Sequence, residues 1–189
     1  MKVLVSVFNN LYTDQRVEKV CKTLHENGFL VELIGNNWGG DPEMTRHYFF
    51  KRISLRSKIL RFAYLEFQWK LYKELMNSVD HNTILHSNDL DTLLPNFLVS
   101  KIKKIPLVWD SHEIFTEMPS VTGRWVQGIW RLIEKSIVPK LRFIMTANDS
   151  YADWFEAKYA VADIVVVRNY PFRVPTPENL PENNPKIIL

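Results

Sequence analysis

Cysteine and glycine are scarce in this chain, and long apolar runs are absent. Of 189 residues, one is cysteine (Cys21) and six are glycine. A single cysteine cannot form an internal disulfide, which is typical of proteins in a reducing compartment. No stretch approaches the roughly 20 apolar residues of a membrane-spanning helix, and the short apolar run near the N-terminus lacks the features of a signal peptide. These absences predict a cytoplasmic protein, or one that contacts the inner face of the membrane peripherally.

The scarcity of glycine also excludes several nucleotide-binding and hydrolytic motifs. The loop after the first apolar run, residues 8–12, contains no glycine, so a dinucleotide-binding G-x-G-x-x-G motif is absent there. The sequence contains neither a P-loop nor the G-x-S-x-G turn of serine hydrolases. A nicotinamide-dependent dehydrogenase and a serine hydrolase are therefore not favoured.

Apolar strand patterns and amphipathic helix patterns alternate along the chain, which predicts the fold class. An α/β fold is expected, with a doubly wound, mostly parallel, Rossmann-like sheet, helices on both faces and the first strand in the interior. Thr13 is the predicted N-cap of the first helix, Asp89 or Asp91 that of the third, and the segment Asn148–Ser150 is predicted to cap the last. The predicted strands cover residues 2–8, 29–34, 47–54, 83–86, 106–110, 142–146 and 164–167, and the longest helix covers 57–79.

The C-terminal part of the chain differs in composition from what precedes it. Residues 171–185 contain five prolines, and such a segment is stiff, extended and unsuited to a helix or a central strand. We therefore expect a Rossmann-like domain over residues 1–170, an interdomain linker over 171–185, and in residues 186–189 the first strand of a second domain. On this interpretation the chain is the first half of a longer protein.

Polar side chains cluster where the fourth and fifth predicted strands end. Residues 86–89 follow one strand and residues 110–113 follow the other. Ligands of open α/β sheets bind beyond the carboxyl ends of the strands. We therefore expect one concave face to be lined by His86, Asp89, Asp110, His112 and Glu113. Loop capping by these polar groups is the alternative interpretation. A zinc site is not favoured, since the sequence has no second histidine at metal-ligand spacing near either cluster.

Residues 51–73 combine aromatic and basic side chains, and Glu66 is the one acidic residue among them. Aromatic rings beside cations suit the interface of an anionic membrane or a lipid phosphate. The alternative is an amphipathic helix whose aromatic side chains join the core while Lys and Arg reach the solvent. Nucleic acid is not favoured as a partner, because the net charge is only +3.

Six short segments and one acidic residue form a specific combination along the chain. They are residues 14–17, 28–31, 86–95, 110–117, 147–150 and 168–171, together with Glu134. Taken together, these residues resemble the bacterial family-four glycosyltransferases. The resemblance implies a GT-B enzyme, in which two Rossmann-like domains face each other across a cleft and this chain is the N-terminal, acceptor-side domain. It implies retaining transfer of a sugar to a glycan or lipid-linked acceptor, from a nucleotide-sugar bound by the missing C-terminal domain, without a cofactor or metal.

The same resemblance implies roles for individual residues. His112 matches the position of the N-domain histidine that lies against the donor sugar, and Glu113 and Asp110 would hold or polarise it, so these three are the expected catalytic residues. A non-catalytic sugar- or nucleotide-binding module is the alternative to the enzyme. The expected substrate-binding residues are His86, Asn88, Asp89, Asn10, Arg16 and Asn148.

Overall fold

A parallel β-sheet forms the centre of the protein in the computed structural model, which describes residues 1–37 and 43–171. Its strands are β1 (Lys2–Asn10), β2 (Leu30–Asn37), β3 (Phe49–Ser54), β4 (Thr83–Asn88), β5 (Leu107–Ser111), β6 (Phe143–Thr146) and β7 (Val165–Val166). They lie in the order β3-β2-β1-β4-β5-β6-β7, and each neighbouring pair is parallel. The predicted parallel sheet, with the first strand in its interior, is confirmed.

The helices cover both faces of this sheet. The strand order reverses at β1, and right-handed crossovers then place the first helix on one face and the later ones on the other. A 3₁₀ helix precedes the fourth helix at Phe115–Glu117, and another follows it at Val138–Lys140. The α-helices of the described residues are α1 (Gln15–Glu26), α2 (Leu60–Ser78), α3 (Leu93–Lys103), α4 (Trp125–Ile137) and α5 (Asp149–Tyr159).

β1 is buried on both faces, which explains its unbroken apolar sequence. Val5 packs on one face with Val17 and Cys21 of α1. On the other face Leu4 packs with side chains of α2, among them Phe67. Cys21 is fully buried, as expected for a small core residue, and burial raises the pKa of its thiol, which therefore stays protonated.

Two of the described helices, α1 and α5, begin at side-chain caps that lie within a residue of the positions predicted from the sequence. Asp14 caps α1 in place of the predicted Thr13, and its carboxylate accepts a hydrogen bond of 3.0 Å from the Val17 amide. The negative charge also favours the positive end of the helix dipole, which a threonine hydroxyl cannot do. Within the predicted capping segment 148–150, Asn148 is the cap of α5 and accepts a hydrogen bond of 2.9 Å from the Tyr151 amide.

Two further sequence expectations concern the C-terminal segment and membrane-spanning helices. The predicted linker over residues 171–185 and the strand over 186–189 lie, apart from Pro171, outside the described residues. In the part that the structure describes, no helix combines the length and the apolar composition needed to cross a membrane.

Candidate functional site

The loops that follow β4 and β5 are joined to each other at the carboxyl edge of the sheet. The two strands are direct neighbours, and Asn88 lies opposite Asp110 in the register. The chain then turns at Asp89, whose φ of +57° is a left-handed conformation that short polar residues tolerate. The Asp89 amide donates a hydrogen bond of 2.9 Å to the Asp110 carbonyl. The two polar clusters therefore lie side by side at the edge where α/β proteins bind ligands.

The imidazole of His112 lies between two carboxylates. Its Nδ1 is 3.3 Å from Asp89 Oδ2, and its Nε2 is 3.4 Å from Asp110 Oδ2. The His112 amide also donates a hydrogen bond of 2.8 Å to Asp89 Oδ1. Burial lowers the pKa of this imidazole, but the two carboxylates outweigh burial and raise the pKa of His112 above its usual value. The arrangement thus favours the form of His112 in which both ring nitrogens carry a proton.

Asp110 is in turn fixed by Arg16 at the start of α1. The Asp110 carboxylate is fully buried, and its Oδ1 accepts a hydrogen bond of 2.6 Å from Arg16 Nη2. Arg16 Nη1 donates a second hydrogen bond of 2.7 Å to the carbonyl of Val167, just after β7. Burial raises the pKa of Asp110, but His112 and Arg16 together lower it to about 2. Asp110 therefore stays ionised and keeps its carboxylate beside the Nε2 atom of His112.

His86 occupies a different environment from His112, although both were expected to face the crevice. Its side chain is only 4% exposed, and in the described chain neither ring nitrogen has a hydrogen-bond partner. Burial lowers the pKa of His86 to about 4, and the nearby Asp110 charge offsets only part of this effect. His86 is thus a neutral imidazole within the protein interior, next to the charged groups of the site.

A cavity of about 360 Å³ opens next to Asp89. Its walls come from the end of β1, the first turns of α2 and the loops after β4 and β5, and they include Phe8, Tyr64, Asp91, Glu113 and Phe115. This position is the topological switch point, where the strand order reverses between β1 and β4. A larger depression of about 1030 Å³ lies between α4 and α5, but none of residues 86–91 or 110–113 lines it.

Comparison with protein families identifies the group to which this fold and site belong. The model described as Glycosyltransferase Family 4 matches residues 14–170, which is most of the chain. The chain belongs to Glycosyltransferase Family 4. The resemblance stated from the sequence is confirmed by this match. No curated protein matches the chain at a significant level.

Solved structures similar to this Family 4 domain share its fold at low sequence identity. Sucrose-phosphate synthase from Thermosynechococcus elongatus superposes with a TM-score of 0.66 and 10% identity over 89% of this chain and 48% of that chain. UDP-GlcNAc 2-epimerase from Methanocaldococcus jannaschii superposes with a TM-score of 0.59 and 14% identity over 88% of this chain and 45% of that chain. The lipopolysaccharide outer core galactosyltransferase WaaB superposes with a TM-score of 0.57 and 11% identity over 89% of this chain and 46% of that chain. This chain therefore spans about half the length of these proteins.

The remaining expected substrate-binding residues of the Family 4 domain have partners within the protein. Asn88 is fully buried, and its side-chain amide donates a hydrogen bond of 3.0 Å to the Ser6 carbonyl, which ties β4 to β1. The Asn10 side-chain oxygen accepts a hydrogen bond of 2.8 Å from the Tyr12 amide and thereby stabilises the turn after β1. Asn148 caps α5, while Glu113 is exposed at the rim of the cavity.

Sequence reasoning did not assign Asp91, Tyr64 or Phe115 to the site of the Family 4 domain. Asp91 was expected as one of two candidate caps of α3, but Thr92 occupies that N-cap position, so neither Asp89 nor Asp91 caps the helix. Tyr64 belonged to an aromatic helix for which the core was the alternative location. Over residues 1–37 and 43–171, no three His, Cys, Asp or Glu side chains are grouped so that they would hold a metal ion.

Proposed function

We propose that this domain is the acceptor-side half of a retaining glycosyltransferase, which transfers a sugar from a nucleotide-sugar to a glycan or lipid-linked acceptor. The observation that carries the proposal is His112, held between Asp89 and Asp110 beside a cavity at the switch point of the sheet. The first strand-to-helix turn contains no glycine that would cradle a phosphate. The donor nucleotide is therefore assigned to a second domain, which is expected to follow in the full protein.

His112 is proposed to act where donor and acceptor meet. A protonated imidazole can donate a hydrogen bond to a sugar oxygen and stabilise negative charge that develops during transfer. Its contacts of 3.3 and 3.4 Å with the two carboxylates are longer than ordinary charge-assisted hydrogen bonds of about 2.7–2.9 Å. A substrate oxygen can therefore compete for either ring nitrogen. Asp110, anchored by Arg16, orients the ring, Glu113 adds a carboxylate at the rim, and no metal or cofactor takes part in the proposed reaction.

A paired assay of nucleotide release tests this function. In the full-length protein, His112→Ala is expected to lower turnover by about 10²-fold or more, the effect typical of removing one donor that stabilises developing charge. His81→Ala, at an exposed histidine in the turn before β4, is the matched control. The domain alone should release no nucleotide, because the donor-binding half is absent, and a metal chelator should leave the full protein active.

Two outcomes would contradict the proposal. One is full turnover by His112→Ala with an unchanged melting temperature, which would remove this residue from the reaction. The other is a full-length protein that binds sugars or nucleotides but transfers nothing to any acceptor, which would favour the non-catalytic binding module.

The full protein is further proposed to be cytoplasmic and to contact an anionic bilayer through the start of α2. Within residues 51–73, part of the aromatic and basic set is already engaged: Phe67 is fully buried, Lys51 pairs with Glu74, and Lys70 pairs with Glu66. These side chains follow the alternative interpretation of a core-packed helix.

The side chains left for a membrane lie in the first turns of α2 and just before it. Ile59, Phe62 and Leu65 are 54%, 48% and 67% exposed, and Lys58 and Arg61 are exposed beside them. Apolar side chains flanked by cations are the composition that binds an anionic interface. Because Leu60 and Tyr64 of the same turns line the cavity, contact here would bring a lipid-linked acceptor close to the site.

Vesicle sedimentation with the full-length protein tests this contact. Each basic residue near an anionic surface contributes about 1 kcal/mol, so the double variant Lys58→Glu, Arg61→Glu should lower partitioning by more than tenfold. Lys51→Glu, within an ion pair on β3, is the control and should have a smaller effect. Equal binding to neutral and anionic vesicles, or no binding to either, would contradict the electrostatic contact.

A further inference from the structure

The cavity next to Asp89 has an unusual distribution of charge for a site near sugar transfer. Three of its lining residues are acidic: Asp89, Asp91 and Glu113. Among the described residues that line it, none is Lys, Arg or His. Of these three side chains, Asp89 is in contact with the His112 ring, which offsets its charge. The cavity therefore presents carboxyl groups to a ligand, and its described lining contains no basic side chain.

Asp91 is the member of this set that points most directly to a ligand. Its side chain is only 9% exposed, and its Oδ1 is buried with no hydrogen-bond partner in the described chain. It is not used as a helix cap, because Thr92 takes that position. Burial, reinforced by the Asp89 charge, raises the pKa of Asp91 well above its usual value. A buried acceptor without a donor is costly, so Asp91 is suited to receive a hydrogen-bond donor from a molecule in the cavity.

The remaining walls supply apolar faces and a neutral hydroxyl. The rings of Phe8 and Tyr64 are stacked with their centroids 4.2 Å apart, and Phe115 packs edge-on against Trp130 at 5.2 Å. Burial, together with Asp91 and Asp89, raises the pKa of Tyr64, which keeps its hydroxyl protonated. Aromatic faces pack against the C–H faces of sugar rings, while carboxylates accept hydrogen bonds from sugar hydroxyl or amino groups.

We infer that this cavity binds a sugar unit of the acceptor that presents hydroxyl or amino donors and carries no negative charge, and that it rejects phosphorylated or uronic acid units. The inference rests on the proposed function and specifies its acceptor. A phosphate or carboxylate in the cavity would meet Asp91 and Glu113, for which no residue lining the cavity supplies a compensating cation. In a lipid-linked acceptor, the phosphate therefore has to lie outside, toward the exposed Lys58 and Arg61 at the start of α2.

The test uses the labelled full-length protein on an array of glycans whose terminal units are neutral, amino-bearing, uronic or phosphorylated. Bound glycans are expected to end in neutral or amino-bearing units. Comparing these two classes shows whether the cavity accepts its hydrogen bond from a hydroxyl or from an ammonium group. Preferential binding of anionic terminal units, or no binding of the neutral and amino-bearing ones, would overturn the inference.

Charge substitutions then locate the selectivity. Asp91→Asn should lower binding of amino-bearing glycans about tenfold or more relative to neutral ones if the ligand is an amine, and should weaken both classes if it is a neutral sugar. Glu113→Lys, at an exposed position that the fold tolerates, should raise binding of anionic glycans at least severalfold. Glu156→Lys makes the same change of charge on the exposed side of α5 and should leave the selectivity unchanged. Equal effects of the two lysine variants would overturn the assignment to this cavity.

The array and the nucleotide-release assay fail independently. Turnover that depends on His112 but uses an anionic acceptor would refute the charge selectivity alone. Charge-selective glycan binding without any turnover would refute the enzymatic function and leave the cavity's ligand class intact.

Discussion

Replacing His86 with glutamine is expected to protect the fold against acid. His86 is buried without a hydrogen-bond partner in the described chain, and its pKa in the folded protein is about 4. In the unfolded chain a histidine titrates near its ordinary value of about 6.5. As the pH falls below that value, His86 becomes protonated in the unfolded chain but stays neutral in the folded protein, so the free energy of unfolding decreases.

The magnitude follows from the gap between the two pKa values. A difference of about 2.5 units, at about 1.36 kcal/mol for each, corresponds to about 3 kcal/mol between pH 7 and pH 4. The loss should begin near pH 6.5 and level off below pH 4. Asp89 acts in the opposite direction, because burial raises its pKa to about 6 and acid then favours the folded state. The quantity to measure is therefore the difference between wild type and variant, not the wild-type curve.

Urea unfolding of the chain at a series of pH values, followed by tryptophan fluorescence, gives this difference. Trp109 is 1% exposed and its emission should shift on unfolding. Relative to wild type, His86→Gln should gain about 3 kcal/mol on going from pH 7.5 to pH 4. His81→Gln, at an exposed histidine, is the control and should follow the wild-type curve. Parallel curves for wild type and His86→Gln would refute the conclusion that His86 is held neutral.

Two further substitutions test the packing around the site by thermal and denaturant unfolding. Asp110→Asn should lower the free energy of unfolding by about 3–5 kcal/mol, because it leaves the Arg16 guanidinium buried without a counter-charge. Glu26→Gln, in an exposed ion pair, is the control and should lower it by less than about 1 kcal/mol. Equal losses would contradict the buried ion pair. Gly35→Ala should lower the free energy of unfolding by about 1–3 kcal/mol, because the new Cβ would lie 2.3 Å from Leu11 Cδ2. Gly128→Ala is the control: its Cβ would meet open space in a helix, so it should be neutral or stabilising. A larger loss for Gly128→Ala than for Gly35→Ala would contradict the packing around Gly35.

The sheet could be predicted from the sequence because its signals are local. Interior strands such as β1 and β4 are apolar runs buried on both faces, and α1 combines an amphipathic pattern with a side-chain cap. The adjacency of β4 and β5 was anticipated because one helix connects them, and short crossovers place consecutive parallel strands side by side. The sequence alone therefore predicts that the polar segments that end these strands lie side by side.

The partners within the site could not be predicted in the same way. Arg16 reaches Asp110 across 94 positions in the sequence, and no local pattern indicates which buried acid an arginine will meet. The role of Asp91 depended on whether it or Thr92 capped α3, a difference of one residue. Along α2, the burial of Phe67 and the exposure of Phe62 depend on how the helix is rotated against its neighbours, which an aromatic stretch without a clear polar face does not specify.

The two hydrogen bonds of Arg16 also have a mechanical consequence. β7 is two residues long and lies at the edge of the sheet, so its own pairing with β6 is a weak attachment. The carbonyl of Val167, immediately after it, is held by Arg16 at 2.7 Å, and the same guanidinium holds Asp110 at 2.6 Å. A pull on the chain beyond Val167 is thus resisted by α1 and by the buried carboxylate beneath His112, in addition to the edge strand. The point at which the described chain leaves the sheet is tethered to the centre of the site.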